Sequence, residues 1–238
     1  TFQDLGRFNQ HHIGIPLSGV MDKRNYLIGN KLVGNSSNIS AIEFAYQGPI
    51  LKIKSAKVIA AITGNVTFKI IRANSNIENG KCYETFELSD GDQVDIISTN
   101  KSVYGYFFIK GGFEAEAFWE SFSINTRAKI GPNEGAKFNT NQKLFIKNKE
   151  SKFQKKRIEY LSSKIEFIRV LHGTNFNYFS EEGKNNFFTK EFIVSKLTDR
   201  MGMRIEGPKI ENIFETNIRS EGLIKGVIQI PGDGNPII

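Results

Sequence analysis

Two arginines late in the chain have the residue type and spacing to hold an anion. Arg200 and Arg204 belong to RMGMRIEG (200–207), where strand-like alternation would place both side chains on the same face. A guanidinium group matches the planar oxygens of a carboxylate or phosphate, so this face could clamp an acidic substrate. A solvated strand face balanced by Glu206 and Asp199 is the alternative, and the pattern alone favours it.

A second group of polar residues lies in GIPLSGVMD (14–22), where Ser18 precedes Gly19. These neighbours do not make the G-x-S-x-G elbow that presents a nucleophilic serine. The nearest histidines, His11 and His12, would point in opposite directions in an extended chain, and no orienting carboxylate accompanies them. The sequence therefore predicts neither a Ser-His triad nor a metal site.

Other motifs of cofactor chemistry are missing from the sequence. Neither G-x-x-x-x-G-K-[ST] nor a strand-bound G-x-G-x-x-G occurs, so the chain is not expected to bind ATP through a phosphate loop. The single cysteine, Cys82, rules out an internal disulfide and fits a reducing compartment. No run of about 18 apolar residues and no signal peptide is found. We therefore expect a cytoplasmic protein without a membrane span.

The positive charge of the chain is concentrated in one segment. The formal net charge is +7, and Lys147–Arg157 contributes +5 of it through six basic residues and one acid. Phe153 is the only aromatic residue of this stretch, which is not the aromatic interleaving of a nucleic-acid surface. A solvated linker is the better interpretation, and no nucleic-acid partner is predicted.

The segment Asp22–Val33 is predicted to be a helix with Asp22 as its N-cap. Met21 and Tyr26 occupy the two positions of a hydrophobic staple around that cap. Gly34 is expected to end the helix at its C-terminus. Helix capping therefore explains the sequence from Asp22 onward.

Short apolar segments follow, with the period of two or the continuous burial that is typical of strands. Turn residues separate them, and their spacing favours a sandwich or barrel over alternating β-α-β units. Seven such segments are predicted in the first part of the chain, at 41–46, 50–54, 57–63, 66–71, 83–88, 93–98 and 103–110. Three more are predicted later, at 165–171, 200–207 and 222–230.

The order of these segments predicts a mainly β chain with two lobes. The first lobe spans residues 1–148, a basic linker spans 149–164, and the second β lobe spans 165–238. No short internal repeat is found, so a solenoid is not expected.

Several glycine-containing motifs occur in the order found in one known family. They are QDLGR (3–7), GIPLSGVMD (14–22), LVGN (32–35), the Gly-Pro pair at 48–49, DRMGMRIEG (199–207), SEG (220–222) and GVIQIPGDGNPI (226–237). Together they resemble the family of biotin-dependent carboxyltransferases and 5-oxoprolinase C subunits, also called allophanate hydrolase subunit 2-like. The resemblance covers nearly the whole chain.

This resemblance implies two cyclophilin-like β-barrel lobes with a few short helices and a functional cleft between them. It also implies a partner of related fold, the B-type subunit, and a third subunit. The activity implied first is ATP-dependent hydrolysis of 5-oxo-L-proline to L-glutamate, with ATP used by the complex. The chain lacks a Met-Lys dipeptide, the signature of a fused biotin carrier, which favours this activity.

Two other functions are consistent with the same resemblance. One is the carboxyltransferase component of a biotin-dependent urea or amide carboxylase, for which biotin would be the cofactor. The other is a non-catalytic regulatory partner of a related subunit. A small amide or lactam is the substrate class for both enzymatic functions.

The resemblance also suggests which residues form the site. A base must deprotonate the attacking group, and donors must stabilise the developing negative charge. The candidate bases are Asp22, Glu43 and Glu221. The candidate substrate-binding residues are Ser18, Gly19, Arg200, Arg204, Ser220, Gln229 and Asp233. Helix capping by Asp22 and turn formation at Ser220–Gly222 and Asp233–Gly234 are the structural alternatives. Asp4 and Arg7 are expected to pair across a turn.

The chain departs from the family at two arginine positions. Phe122, in ESFSIN (120–125), and Tyr104 stand where the family pattern has arginine, and phenylalanine supplies none of the five guanidinium donors. An altered or lost activity is the expected consequence if that arginine binds substrate. The family pattern also extends beyond both ends of the sequence, so a longer protein, with a second lobe that continues past residue 238, is expected.

Overall fold

Antiparallel strands of the first unit form two open sheets. The computed structural model describes residues 1–147, 152–160, 166–214, 218 and 221–238, in two units, Thr1–Ser162 and Ser163–Ile238. The described strands of the first unit are, in chain order, β1 (Phe2–Gln3), β2 (Ala41–Ala45), β3 (Ile50–Lys52), β4 (Val58–Thr63), β5 (Val66–Ile71), β6 (Ile77–Asn79), β7 (Thr85–Leu88), β8 (Gln93–Thr99) and β9 (Tyr104–Ile109).

One sheet has the strand order β1-β2-β9-β4-β7, and the other has the order β3-β8-β5-β6. The main core lies between them, where Ile62 of β4 and Phe107 of β9 pack with Phe68 of β5 and Ile96 of β8. Strand β5 alternates buried and exposed residues because one of its faces meets solvent. The pairings among the described strands leave both sheets open, and closure into a barrel is not seen.

Helix α1 (Lys23–Val33) covers the opposite face of the five-stranded sheet. Tyr26 packs there with Ala61 of β4 and with Phe108 of β9. Gly29 allows the close approach, because a Cβ atom at this position would lie 2.0 Å from the Phe108 ring. Strands β4 and β9 are therefore buried on both faces, which explains their uninterrupted apolar sequences.

Residues 154–158, which lie inside the predicted linker, pair with the edge of the five-stranded sheet. Thr85 of β7 donates its backbone N–H to Lys156 O at 2.9 Å, and Ile158 donates to Tyr83 O at 2.9 Å. This segment thus extends the sheet beside β7. Short 3₁₀ helices at His11–Ile13 and Asn133–Gly135 complete the helices described in this unit.

The second unit contains little regular structure among its described residues. A 3₁₀ helix, Phe176–Tyr178, precedes helix α2 (Glu181–Thr189), and strands β10 (Ile193–Val194) and β11 (Ile205–Glu206) form an antiparallel pair. Ser180 caps α2 by accepting the Gly183 N–H at 3.0 Å.

The strand predicted at 200–207 is shorter than expected: it comprises Ile205–Glu206, while Met203 and Arg204 pair separately with Ile238 and Ile237. A tight turn occupies Asp199–Gly202, where Asp199 Oδ1 accepts the Met201 N–H at 2.8 Å. This local bond competes with ladder formation. The strands predicted at 165–171 and 222–230 are absent over residues 166–171 and 222–230, apart from one bridge at Gln229.

The prediction of a mainly β chain with short helices is confirmed, as are helix α1, its Asp22 cap and the seven strands predicted before residue 111. The sequence patterns did not indicate β1, β6 or α2. None of the described helices combines the length and apolar character needed to cross a membrane.

Candidate functional site

A buried carboxylate organises the polar interior of the first unit. Asp4 is fully buried, and its Oδ1 accepts hydrogen bonds from Ser121 Oγ at 2.7 Å and Ser123 Oγ at 2.6 Å. The same oxygen accepts the Gly6 N–H at 2.9 Å, while Oδ2 accepts the Phe122 N–H at 2.7 Å. Four donors therefore bond the carboxylate of Asp4, and none of them belongs to a cationic side chain.

Arg7 is fully buried beside this carboxylate, but it does not pair with it. Its Nη2 donates to Ser123 O, whereas Nε and Nη1 have no acceptor in the described part of the chain. Burial lowers the pKa of the guanidinium from its ordinary value, and attraction to Asp4 offsets part of that effect. The expected turn pair is thus a capped carboxylate next to an incompletely bonded arginine.

Two glycines let the 14–19 segment lie directly on the loop after β1, which carries Arg7. The Arg7 backbone N–H donates to Leu17 O at 2.7 Å. A Cβ at Gly6 would stand 2.5 Å from that same oxygen, and one at Gly19 would stand 2.9 Å from Leu5 O. Both glycines have positive φ, so side chains there would also be strained. Gly19 therefore has a packing role.

Ser18 lies in the same contact with its side chain half-buried and its φ at 57°. Its Oγ accepts a hydrogen bond from Asn125 Nδ2 at 3.2 Å. The Asn125 Oδ1 in turn accepts the backbone N–H groups of Arg127 and Ala128, which fixes the turn. The Ser18 hydroxyl proton has no acceptor among the described residues, so it is available to a ligand oxygen.

Glu43 and the backbone of Asp22 both form hydrogen bonds with the hydroxyl group of Tyr106. The Glu43 Oε2 accepts the Met21 N–H at 2.9 Å and the Tyr106 hydroxyl at 2.8 Å. The Tyr106 oxygen also accepts the Asp22 N–H at 2.7 Å. Burial, together with the nearby Glu43 charge, raises the Tyr106 pKa far above its ordinary value, so the hydroxyl keeps its proton.

The carboxylate of Asp22 is occupied by helix capping. Its Oδ1 accepts the Asn25 N–H at 2.9 Å, and its Oδ2 accepts Asn25 Nδ2 at 2.6 Å. Asn25 Oδ1 accepts the Tyr83 hydroxyl at 2.7 Å, and burial raises the Tyr83 pKa to about 12. A continuous hydrogen-bonded chain therefore joins Tyr83 to Glu43 across the start of α1.

Three of the sequence-predicted residues come together within the second unit. Gln229 and Ile237 exchange backbone hydrogen bonds at 2.9 and 2.8 Å, and Arg204 forms a bridge to the same Ile237. Asp233 lies in the turn between Gln229 and Ile237. The backbone N–H of Asn235 lowers the Asp233 pKa, and Arg204 adds a smaller attraction. Arg204, Gln229 and Asp233 are all exposed.

The other predicted residues of this unit are not gathered with them. Arg200 is exposed in the turn at Asp199–Gly202, and Glu221 is exposed as well. Ser220 lies outside the described residues. The predicted common face of Arg200 and Arg204 is wrong, because the turn interrupts the alternation on which it depended.

Sequence reasoning missed the long-range partners of the first unit, which are Ser121, Ser123, Asn125 and Tyr106. The Asp-x-Gly spacing of Asp4 and Gly6, typical of an aspartate that caps a turn, is the one local signal that marks this cluster. At the expected arginine position, the Phe122 ring lies 5.7 Å from Lys147 Nζ, a cation–π distance.

Metal binding finds no support in the described residues, where no three His, Cys, Asp or Glu side chains are close enough to share an ion. The single thiol is also poorly suited to chemistry. Burial raises the pKa of Cys82, and its Sγ contacts Val66 O at 3.2 Å.

Comparison with known proteins identifies the family of this chain. A family model described as the carboxyltransferase domain, subdomain A and B, matches residues 13–238. The chain is 27% identical to the C subunit of 5-oxoprolinase from Haemophilus influenzae over 238 residues, which is 100% of this chain and 75% of that protein. It is 26% identical to urea amidolyase of Saccharomyces cerevisiae over 226 residues, which is 88% of this chain and 12% of that protein.

A solved structure gives the same result at the level of the fold. The crystal structure of TTHA0988 matches 100% of this chain with a TM-score of 0.83 and 25% sequence identity. This chain spans 45% of that structure, which is less than half of its length. Because the family model extends over almost the entire sequence, the chain belongs to the family of the carboxyltransferase domain, subdomain A and B.

Proposed function

We propose that this chain is a subunit of a 5-oxoprolinase complex, which hydrolyses 5-oxo-L-proline to L-glutamate with ATP. The observation that carries the proposal is the match over the whole chain to the C subunit of 5-oxoprolinase. The homologues support a component of an enzyme complex, and lactam hydrolysis is the specific step that we assign to the assembly. A cytoplasmic location is part of the proposal.

The chemistry requires a polarised carbonyl, a directed water molecule and a base. In the first unit, the Ser18 hydroxyl is a donor available to a ligand, and the Gly19 turn positions it. Asp22 uses both of its carboxylate oxygens in the helix cap, whereas the Met21 N–H and the Tyr106 hydroxyl orient the Glu43 carboxylate through Oε2. We therefore assign the base to Glu43 in preference to Asp22.

In the second unit, we assign substrate binding to the exposed group of Arg204, Gln229 and Asp233. Arg204 supplies planar guanidinium donors, and Gln229 supplies an amide. Arg200, Ser220 and Glu221 belong to the same proposal, although the described structure does not gather Arg200 and Glu221 with the others.

Partner subunits are supported by the apolar surface of the second unit. Its described residues include several large side chains that are mostly in contact with solvent, such as Leu171 at 95%, Ile224 at 78% and Ile193 at 74% exposed. Exposed apolar area of this kind is typical of protein interfaces. We propose a related carboxyltransferase-like partner, the B-type subunit, and a further subunit that binds ATP, since this sequence has no phosphate loop.

A biotin-dependent urea or amide carboxylase is the second candidate function. The match to urea amidolyase over most of this chain favours it. In that case the chain would supply the carboxyltransferase step, and biotin would be carried by another domain or subunit. The phenylalanine at position 122 favours a third candidate, a non-catalytic regulatory subunit.

Reconstitution of the complex tests these candidates. The full-length gene is co-expressed with its neighbouring subunit genes, and ATP-dependent release of glutamate from 5-oxoproline is measured. We expect turnover with the wild type, a large loss with Arg204→Ala and no loss with Arg169→Ala, an exposed arginine outside the proposed group. Absence of turnover, together with bicarbonate- and biotin-dependent carboxylation of urea, would replace the leading proposal with the second.

A further inference from the structure

We infer that Arg7 binds the carboxylate of the substrate in the first unit. Arg7 is not among the residues assigned above, and this inference deepens the proposed function on which it rests, because 5-oxoproline is a lactam that carries a carboxylate. The ligand chemistry is therefore that of a small carboxylic acid, bound by a guanidinium donor and an adjacent hydroxyl.

The first argument is that no carboxylate of the described residues forms a direct hydrogen bond or ion pair with Arg7. The nearest acid, Asp4, directs its oxygens to Ser121, Ser123, Phe122 and Gly6. Arg7 makes no ion pair with any carboxylate of the described residues. A fully buried guanidinium in this condition is unfavourable unless another negative group completes it.

The second argument is that two nitrogens of the guanidinium, which carry three N–H groups, remain unused. Only Nη2 is bonded, to Ser123 O, while Nε and Nη1 have no acceptor in the described chain. An arginine kept for structure normally bonds most of its five N–H groups. Arg7 instead retains donors suited to a carboxylate oxygen, the preferred partner of a guanidinium.

The third argument concerns how a ligand could reach the guanidinium. Gly131 lies against it, since a Cβ at this position would be 3.1 Å from Arg7 Nη2. Gly131 follows a turn closed by hydrogen bonds between Asn125 and Ile130, and the intervening residues 126–129 are exposed. The only side-chain bond described between this turn and the 14–19 segment joins Asn125 to Ser18.

Displacement of that turn would uncover Arg7 and free Ser18 at the same time. Residues 126–129 of this turn are exposed, and exposed turns open at a lower free-energy cost than the elements of the core. The carboxylate would then accept from the unused guanidinium N–H groups and from the Ser18 hydroxyl. In this arrangement Arg7 orients the acid, and the lactam carbonyl is left for other donors.

Steady-state kinetics of the reconstituted complex tests this assignment. Wild type is compared with Arg7→Met, Arg7→Lys and Arg24→Met, the last changing an exposed arginine of α1. We expect Arg7→Met to raise KM for 5-oxoproline by about tenfold or more, as the loss of bonds to a charged group implies. Arg7→Lys should recover part of this loss, and Arg24→Met should match wild type.

The melting temperature separates binding from a structural role. Arg7→Met loses the bond to Ser123 O and the attraction to Asp4, so its melting temperature is recorded beside KM to show that the variant is folded. A folded Arg7→Met with wild-type KM would overturn the inference. If Arg7→Met does not fold, Arg7→Lys decides, and a wild-type KM in that variant has the same meaning.

A binding measurement keeps the two proposals distinguishable. The wild-type chain and its Arg7 variants are titrated with 5-oxoproline and with 2-pyrrolidinone, the same ring without the carboxylate. Preference for the acid that disappears in the Arg7 variants supports the inference even if the complex shows no 5-oxoprolinase turnover. Equal binding of both rings by wild type, or binding of neither, contradicts it. Turnover that is insensitive to Arg7 would leave the proposed function standing without it.

Discussion

At the scale of single residues, Asp4 joins two distant parts of the first unit. Its carboxylate accepts hydrogen bonds from the hydroxyls of Ser121 and Ser123, which lie 117 and 119 positions later in the sequence. Gln3 reinforces this contact by donating to Ile124 O at 2.8 Å. Because the acceptor is a buried carboxylate, each of these bonds is stronger than a surface bond. The loop at 121–124 is thereby fixed to the first strand.

We expect Asp4→Asn to lower the free energy of unfolding by about 3 kcal/mol. The asparagine amide turns donor hydrogens toward groups that are themselves donors, and these are left unbonded in the interior. Urea unfolding followed by circular dichroism measures the change. Glu116→Gln, the same chemical change at an exposed position, should have little effect. Equal effects of the two variants would show that Asp4 has no such role.

The sequence predicts part of this arrangement. It places Asp4 and Arg7 on either side of a turn, and Asp4 does cap that turn through Gly6. The partners from residues 121–125 could not be predicted, since no local pattern encodes which distant serines reach a buried carboxylate. For the same reason the sequence marks Arg7 only as a turn residue, and its unused donors are visible only in three dimensions.

At the scale of elements, the start of helix α1 carries both a cap and a candidate base. Asp22 bonds the Asn25 backbone and side chain, and this position lies next to Tyr106 and Glu43. A loss of activity in an Asp22 variant could therefore reflect a displaced helix instead of lost proton transfer. Substitutions that separate these effects are required.

Asp22→Ala is expected to lower the free energy of unfolding by about 1 kcal/mol, the usual value of an N-cap. Asp22→Ser should retain most of that stability, because a serine oxygen can also accept the Asn25 N–H. Thermal unfolding measures both, and the turnover of the reconstituted complex is recorded beside it. A Ser variant that is stable but inactive would return Asp22 to the candidate bases, against our assignment.

The turn between β7 and β8 contains a buried acid, Asp92, that is paired with an arginine. Asp92 has a side chain that is 6% exposed and bonds Arg72 Nη1, Ala73 N and Ser89 N at 3.0, 2.9 and 3.0 Å. Burial alone would raise its pKa, but the Ser89 N–H and the Arg72 guanidinium hold the pKa below its usual value.

This lowered pKa gives the stability of the fold a predictable dependence on pH. The stabilisation is complete above the unfolded-state pKa, about 3.9 for aspartate, and is lost as pH falls through the lower folded pKa. We expect Asp92→Asn to cost about 2–3 kcal/mol at pH 7 and less at pH 3, as measured by urea unfolding. Asp95→Asn, on β8, should stay within about 0.5 kcal/mol of wild type. A loss for Asp92→Asn that is the same at both pH values would contradict this account.

The elements differ in how far their sequences predict them. Strands β4 and β9 have long apolar sequences because both of their faces are buried, and this signal is hard to mistake. In the second unit, β11 is two residues long, and the Asp199–Gly202 turn overrides the alternation that precedes it. The hydrogen bonds of a local turn therefore determine the structure where the alternating sequence pattern has no buried face to stabilise a strand.

At the scale of the whole molecule, the hydrophobic core is distributed unequally. Among the described residues, the buried apolar side chains of the second unit are only Ile205 and Ile210, and all the others belong to the first. The second unit also exposes Leu171, Ile224 and Leu197 to a large extent. Burial of apolar surface is the main source of folding free energy, so the two units should differ strongly in autonomous stability.

We expect a fragment of residues 1–162 to fold without the rest of the chain. Its two sheets enclose the main core, and Tyr26 and Tyr106 are fully buried between the five-stranded sheet and helix α1, so near-ultraviolet circular dichroism should show fixed aromatic side chains. Urea should unfold this fragment in one cooperative transition.

A fragment of residues 163–238, by contrast, should show no cooperative transition, because it buries too little apolar surface to offset the entropy of its backbone. Addition of the co-encoded partner subunit should order it if its exposed apolar side chains form an interface. Cooperative unfolding of this second fragment in isolation would show that its stability does not depend on the core described here. It would also remove the apolar surface as a support for the proposed partner.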